Sequence, residues 1–469
     1  MQYQMARRIE TWLPAVAGLT WLASAEGPVA FLLAAVPGSL LVTATVGTLL
    51  FPGDRHIPRT GAVGAVLGVL LAIPVLFFAP LTALLLAALS AAGGVAAGRI
   101  AVEDLPLPGS APAPESLSRI SAEVALDEAA LGLLTMAIGV YNEDVQARVG
   151  EELEAQLAWL RAGGWTTAPA TFHEAPPPLG PISVATERSA GLDVEVLRYD
   201  SEFAPRHGAP GRDRWLRYGA NLTSETRLVR ARDSRDWLLC IHGLGMGYAP
   251  ADLRFLRASW LYERGLNLAL PVLPLHGRRR RALVSGTGFV TGDVADTLHA
   301  LTQTIWDLRR LIAWLREQGA GRIGLYGVSL GGYVAALLAS LDDDIDFAIA
   351  GVPASELGEL TCYHGNQRAM TLAERHGITP SRLTAALHPV GPLSFAPRVP
   401  HERRYLFGAT ADRFVPPRQV EALWRHWDQP AIEWYAGAHL TFWWHPKVRE
   451  FVARALDGCE FGRSPPPGR

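Results

Sequence analysis

Gly327-Val328-Ser329-Leu330-Gly331-Gly332 stands between an apolar run, Ile323 to Tyr326, and a helical pattern from Tyr333 to Ser340. A serine on a sharp turn from strand to helix presents its hydroxyl outward, and small residues at 327 and 331 let the backbone bend tightly there. The helix N-terminus behind it favours developing negative charge. Ser329 is therefore the candidate nucleophile of an acyl transfer. Alone, the pattern also describes a tight turn holding an ordinary serine, so its partners decide.

Tyr405 to Phe407 ends an apolar run and Gly408-Ala409-Thr410-Ala411-Asp412 follows, which puts Asp412 in a loop past a strand's carboxyl end. An acid there can orient a histidine ring and stabilise its imidazolium. Trp434 and Tyr435 lead into Gly437-Ala438-His439-Leu440, so His439 lies after the last strand and before the closing helix. A base must bond the serine on one ring nitrogen and the acid on the other, which that loop allows. Glu356 is the substitute acid and His445 the competing base. Upstream, Leu238 to Ile241 runs into His242-Gly243-Leu244-Gly245-Met246-Gly247, a loop able to aim backbone N–H groups at an oxyanion. Removing one such donor costs roughly 3 to 4 kcal/mol of transition-state stabilisation. The N–H groups of Leu244 and Leu330 are the candidates, and His242 is read as a structural residue of the loop.

The chain order Ser329, Asp412, His439 is that of α/β-hydrolases and differs from the chymotrypsin and subtilisin orders. Through His242-Gly243, Gly327 to Gly331, Asp412 and His439, residues 182–458 resemble the α/β-hydrolase superfamily. The resemblance implies a mostly parallel eight-stranded sheet with helices on both faces and an active site at the carboxyl ends of its strands. It implies a serine esterase of carboxylesterase or lipase type, with no metal and no organic cofactor. A peptidase or thioesterase would use the same residues, and fold alone does not choose among them. A catalytically silent membrane scaffold of the same fold is the reading from a different class.

The elements that must position these residues follow from periodicity. From Ile182 onward, Val-, Ile- and Leu-rich runs alternate with amphipathic stretches, as in a parallel sheet covered by helices. Strands are expected at 237–241, 267–272, 322–326, 346–351, 404–408 and 432–436, and helices at 251–264, 295–317, 330–341, 417–427 and 446–456. The proline-punctuated segment 353–400 is either a cap over the site or a long surface connection. Arg278 to Arg281 form either a solvated loop or a patch for anionic head groups or an acidic substrate. Phe442, Trp443 and Trp444 either pack the last helix or line an apolar acyl site.

The first hundred residues have a different composition. From Thr11 to Phe51 the one charged residue is Glu26, and from Gly61 to Gly98 there is none. Both stretches exceed the length of a membrane span, and a second apolar stretch argues against a cleaved signal peptide. The expectation is a membrane anchor over 1–104 with two spans, near 28–50 and 62–90, or a re-entrant pair broken at Pro74 and Pro80. Trp12 and Trp21 suit an interfacial segment or plain apolar turns. Two spans put Arg7, Arg8 and Arg99 opposite Arg55 and Arg59, which favours a multi-pass membrane protein with a cytoplasmic catalytic domain. Residues 105–181 are expected to be a proline-rich linker and a helical connector, with helices at 116–142 and 144–162, and residues 459–469 a disordered tail.

Lys and Arg number 43 against 45 Asp and Glu, so the net charge of −2 supplies no field for nucleic acid. Three cysteines without paired spacing argue against a disulfide framework or zinc cluster and fit a reducing compartment. The expected partners are a small-molecule or lipid ester substrate and the bilayer. Nothing in the sequence specifies an oligomeric state.

Overall fold

The computed structural model describes residues 8–103, 107–112, 117–138, 142–232, 234–290 and 292–462. The chain divides into two compact units. One comprises Met1–Val140, Ala409–Arg418 and Trp434–His445, and the other Tyr141–Gly408, Gln419–Glu433 and Pro446–Arg469.

In the first unit, α1 (Ile9–Ala23), α2 (Pro28–Leu50), α3 (Ile57–Val75) and α4 (Pro80–Glu103) form a bundle in which each helix packs on the next and α4 packs back on α1. Thr45 Oγ1 donates to the Thr11 carbonyl at 3.0 Å, which sets the end of α2 beside the start of α1. The fifth helix, α5 (Leu117–Ile138), packs on α3 and α4. A Cβ on Gly98 of α4 would stand 1.9 Å from the Ser121 carbonyl oxygen of α5, so the two backbones touch there.

Among the described residues α2, α3 and α4 are long and apolar enough to cross a membrane. The expected span near 28–50 is α2. The stretch expected as one span at 62–90 is instead two helices, parted at residues 76–79, because Pro80 opens α4 at the one helical position where its missing N–H costs nothing. Phe77, Phe78 and Leu81 around this turn are 83%, 89% and 82% exposed. Trp21 is buried within the bundle, donating to Ser90 Oγ at 3.0 Å, and Trp12 is half-exposed.

Three ion pairs gather at the opposite end. Arg8 pairs with Glu103, Arg99 with Glu10 at 3.2 Å, and Arg59 with Glu128 of α5 at 3.2 Å. Arg59 therefore shares an end with Arg8 and Arg99, against the arrangement expected from two spans. Two additional helices, α1 before the first expected span and the second half of the divided 62–90 stretch, each reverse the chain once more. Arg7 lies outside the described residues.

The second unit is built on a mixed sheet, with nine strands among the described residues where eight were expected. They are β1 (Ser183–Ser189), β2 (Leu192–Asp200), β3 (Thr223–Val229), β4 (Asp236–Ile241), β5 (Asn267–Pro271), β6 (Arg322–Val328), β7 (Phe347–Gly351), β8 (Arg404–Ala409) and β9 (Ala431–Tyr435), in the order β1-β2-β3-β5-β4-β6-β7-β8-β9. β5, β4, β6, β7 and β8 run parallel, while β1, β2 and β3 join antiparallel at one side. The six expected strands all occur. The three antiparallel ones were missed, β1 because it is a largely exposed, polar edge with no buried face to impose alternation.

The long helices of this unit are α6 (Glu143–Ala162), α7 (Val294–Glu317), α8 (Leu330–Leu341), α9 (Leu357–His364), α10 (Gln367–Arg375), α11 (Pro380–Leu387), α12 (Pro417–His426) and α13 (Pro446–Gly458). The segment 353–400 thus carries α9, α10 and α11. The expected connector helices correspond to α5 and α6 but fall in different units. Cys459 and Phe461 are buried, with Phe461 edge-on to Phe347 at 4.7 Å, so the packed chain reaches into the expected tail. Residues 463–469 lie outside the described residues.

Candidate active site

β6 and α8 meet at Ser329, whose φ of 61° and ψ of −118° are unfavourable for any residue with a Cβ. Two bonds hold it there. Its N–H donates to the Gly351 carbonyl at 2.8 Å, and its carbonyl accepts from Tyr333 N–H at 3.0 Å. The flanking glycines are required by contact: a Cβ on Gly327 would meet the Gly331 carbonyl oxygen at 2.0 Å, and one on Gly331 the Ile241 carbonyl oxygen at 2.0 Å. Leu330 opens α8 immediately after the serine.

The loop after β4 lies against this turn, since a Cβ on Gly243 would stand 3.4 Å from Ser329 Cβ. It is fixed at both ends. At its start, buried His242 holds Nδ1 2.8 Å from the Gly243 carbonyl and accepts the Leu273 N–H on Nε2 at 3.1 Å. Burial lowers its pKa to about 4, so it is neutral, as its structural role requires. At the far end Gly247 donates its N–H to Asp252 and accepts from Arg227, both at 3.0 Å, and Arg227 and Asp252 pair at 3.0 Å. Leu244 sits between these anchors.

Within the first unit, Asp412 and His439 come together. Asp412 is fully buried, its Oδ2 2.6 Å from His439 Nδ1 and its Oδ1 accepting the Val415 N–H at 2.7 Å. The Phe414 ring stacks on the imidazole at 5.0 Å. Burial opposes a charged imidazolium, but the charge and hydrogen bond of Asp412, with Asp127 behind, outweigh it and raise the His439 pKa. The competing base His445 is engaged elsewhere, 3.0 Å from Glu123. The substitute acid Glu356, in the second unit, accepts from Thr384 Oγ1 at 2.9 Å.

Helix α5 supplies residues that sequence reasoning missed. Asp127 is fully buried and accepts three backbone N–H groups, from His439 at 2.7 Å, Leu440 at 2.9 Å and Arg413 at 3.2 Å. Glu123 accepts from Thr441 Oγ1 at 2.7 Å and Ala438 N–H at 3.3 Å, and Glu128 pairs with Arg413 and Arg59. Burial raises the Asp127 pKa and the Asp412 charge adds to it, against the pull of His439 and the bonded N–H groups. For Glu123, burial is outweighed by the bonds from His445 and Thr441, which hold its pKa down to about 2.

The basic run is partly interior. Arg279 is buried against Asp307 at 2.9 Å and two backbone carbonyls, and Arg281 bonds Tyr218 and Asp296. Phe442 is buried, while the Trp443 and Trp444 rings lie 5.2 Å apart with their planes inclined by 59°, and Trp444 is exposed. Among the described residues no group of three or more His, Cys, Asp and Glu side chains is disposed to hold a metal ion.

A family described as alpha/beta hydrolase domain containing 18 matches residues 227–353, which include Leu244, Ser329 and Leu330 and end before Asp412 and His439. Two Mycobacterium tuberculosis proteins, described as uncharacterized proteins Rv2627c (strain H37Rv) and MT2702 (strain CDC 1551), are each 40% identical over 341 residues, covering 72% of this chain and 82% of theirs. Among solved structures, an acetyl xylan esterase from Paenibacillus sp. R4 superposes with a TM-score of 0.44 at 16% identity, covering 65% of this chain and 94% of that one. Acetyl xylan esterase 1 from Thermoanaerobacterium sp. JW/SL YS485 does so at 0.44 and 12%, covering 63% and 92%. The chain belongs to one family with the two mycobacterial proteins, and it is itself a member of the α/β-hydrolase superfamily.

Proposed function

We propose that the protein is a membrane-anchored serine hydrolase that cleaves a carboxylic ester of an apolar acyl or lipid substrate. The observation that carries this reading is Ser329, held at positive φ between β6 and α8, a strained conformation with no structural benefit of its own. The buried Asp412–His439 pair supports it from the first unit.

In this reading His439, oriented by Asp412, takes the Ser329 hydroxyl proton as Oγ attacks the ester carbonyl. The N–H groups of Leu244 and Leu330 hold the oxyanion. The tetrahedral intermediate expels the alcohol, which takes the proton from His439. Water, deprotonated by the same histidine, then attacks the acyl-enzyme and releases the acid and the serine. The apolar surface of α2, α3 and α4 supports the anchor and an apolar substrate drawn from the bilayer. Arg8, Arg59 and Arg99 at one end of the bundle support a cytoplasmic placement of that end, where α5 and the Asp412 and His439 loops also lie.

Fluorophosphonate labelling of the detergent-solubilised full chain beside Ser329→Ala, with turnover of short- and long-chain p-nitrophenyl esters, tests the reading. Labelling and hydrolysis lost in the variant, with preference for the long chain, are expected. Folded wild type that neither labels nor turns over would favour a silent scaffold. Peptide or thioester turnover exceeding ester turnover would replace the substrate class.

A further inference from the structure

Asp127 belongs to α5, a helix of the N-terminal bundle unit, yet its bonds all go to the loops carrying the candidate acid and base. One carboxylate oxygen takes His439 N–H at 2.7 Å and Arg413 N–H at 3.2 Å, and the other takes Leu440 N–H at 2.9 Å. It therefore ties the residue after Asp412 to the backbone of His439 itself. Glu123, one turn earlier, grips the same histidine turn through Thr441 Oγ1, Ala438 N–H and His445, and Glu128 holds Arg413. Three carboxylates on one helix, all nearly inaccessible, are costly to bury and are retained here by bonds to two loops far away in sequence.

We propose that Asp127 is the positioning residue of the His439–Asp412 pair, so that the N-terminal helical unit is a working part of the hydrolase site as well as an anchor. The inference rests on the serine-hydrolase reading above. Its carboxylate sets the backbone from which His439 projects and fixes that turn relative to the Asp412 loop. When ionised it also adds negative charge near the imidazole, against the burial and the Asp412 charge that raise its own pKa. The charged and titratable groups around the ring are Asp412 on the loop after β8 and Asp127 on α5, with the Glu123–His445 and Glu128–Arg413 pairs on the same packed elements.

Geometry and charge are separable in two variants of the full-length protein in detergent. Asp127→Asn keeps the shape but removes the anion and one acceptor, while Asp127→Glu keeps the anion and displaces it. Turnover is counted per site titrated with fluorophosphonate, so molecules that fail to fold do not enter. Asp127→Asn is expected to lose kcat by about 10- to 100-fold with little change in KM, the effect of a misplaced base. The acid limb of its kcat/KM profile moves to lower pH, because an anion favouring the imidazolium is gone. Asp127→Glu is expected to lose rate by at least about 10-fold with the limb at the wild-type pH.

A merely structural residue would change the number of titratable sites and leave rate per site and limb alone, which would overturn the inference. Should Asp127→Asn yield no titratable protein, a wild-type rate per site in Asp127→Glu overturns it equally. Wild type that neither labels nor turns over defeats the hydrolase reading instead. Amide hydrogen exchange at His439 and Leu440 then decides the clamp alone: faster exchange in Asp127→Asn supports it, and unchanged exchange overturns it.

Discussion

The carboxylate of Asp127 accepts the backbone N–H of His439 at 2.7 Å although 312 residues separate them. The bond assigns the candidate base to the fold of the N-terminal helices as much as to the sheet that precedes it in sequence. Its loop and that of Asp412 are the segments the chain hands over to the first unit. An anchor that served only to hold an enzyme at a membrane would have no reason to bury three carboxylates against those loops.

A substitution inside the bundle should therefore reach the chemistry. Gly98 lets α4 touch α5 at Ser121, and a valine there would drive its side chain into the Ser121 carbonyl. Gly98→Val is expected to destabilise by about 1–3 kcal/mol, the usual cost of overpacking, and to lower ester turnover per folded molecule as α5 shifts. Thermal unfolding and turnover measured together check this. A destabilised protein with full turnover per molecule would separate the bundle from the site.

Asp412→Asn removes the charge opposite His439 while keeping the volume. The amide can present its N–H₂ to Nδ1 and hold the wrong tautomer, so kcat is expected to fall by about 10⁴-fold. Turnover of a p-nitrophenyl ester reads this directly. A loss under tenfold would move the acid's task elsewhere, with Glu356 next to be substituted.

How much of this was legible in the sequence depends on how local each signal is. The Ser329 elbow, the glycine loop and the parallel strands are written in consecutive residues, because a tight turn needs glycine where it bends and a doubly covered strand is apolar throughout. The loops of Asp412 and His439 were likewise readable from the strands before them. Their hydrogen bond is long-range, but the chain order of the superfamily supplied it. Asp127 had no such signal. Glu123, Asp127 and Glu128 lie in what the sequence offers only as a connector helix, and it is the packing of α5 against two distant loops that buries them. The division of 62–90 into two helices was half legible, in Pro80, yet apolar composition is the same for one long helix and two short ones.

The pH dependence follows from the direction of the His439 shift. Its folded pKa is raised above the ordinary 6.5, and the base must be neutral to act. The acid limb of kcat/KM is therefore expected above pH 6.5, and it should fall in Asp412→Asn. For stability the sign is opposite. The Asp412–imidazolium pair contributes fully below the unfolded pKa of about 6.5 and is lost as pH rises through the raised folded value. A pH–rate profile with a limb below 6 would contradict the pairing.

Glu123 gives a second titration with the reverse sense. Its pKa is held down to about 2, against about 4.3 for an unfolded glutamate. The stability it confers is present above the unfolded value and lost as pH falls through about 2. Glu123→Gln is expected to cost roughly 1–3 kcal/mol near neutral pH, where it removes bonds to a charged acceptor, and progressively less under acid. Unfolding curves of the two proteins that stay parallel from pH 7 to pH 3 would mean the carboxylate is not ionised in the fold.

Ser329 itself offers a test of strain that needs no substrate. Its φ of 61° is penalised by a Cβ and free for glycine. Ser329→Ala keeps the penalty and removes the hydroxyl, whereas Ser329→Gly removes both. Each is expected to be inactive, and the glycine variant should exceed the alanine variant in stability by about 1 kcal/mol, the order of the strain relieved. The comparison isolates the backbone, because neither variant can bond through its side chain. Equal stabilities would mean the elbow is unstrained, and the positive φ would then lose its standing as the mark of a nucleophile.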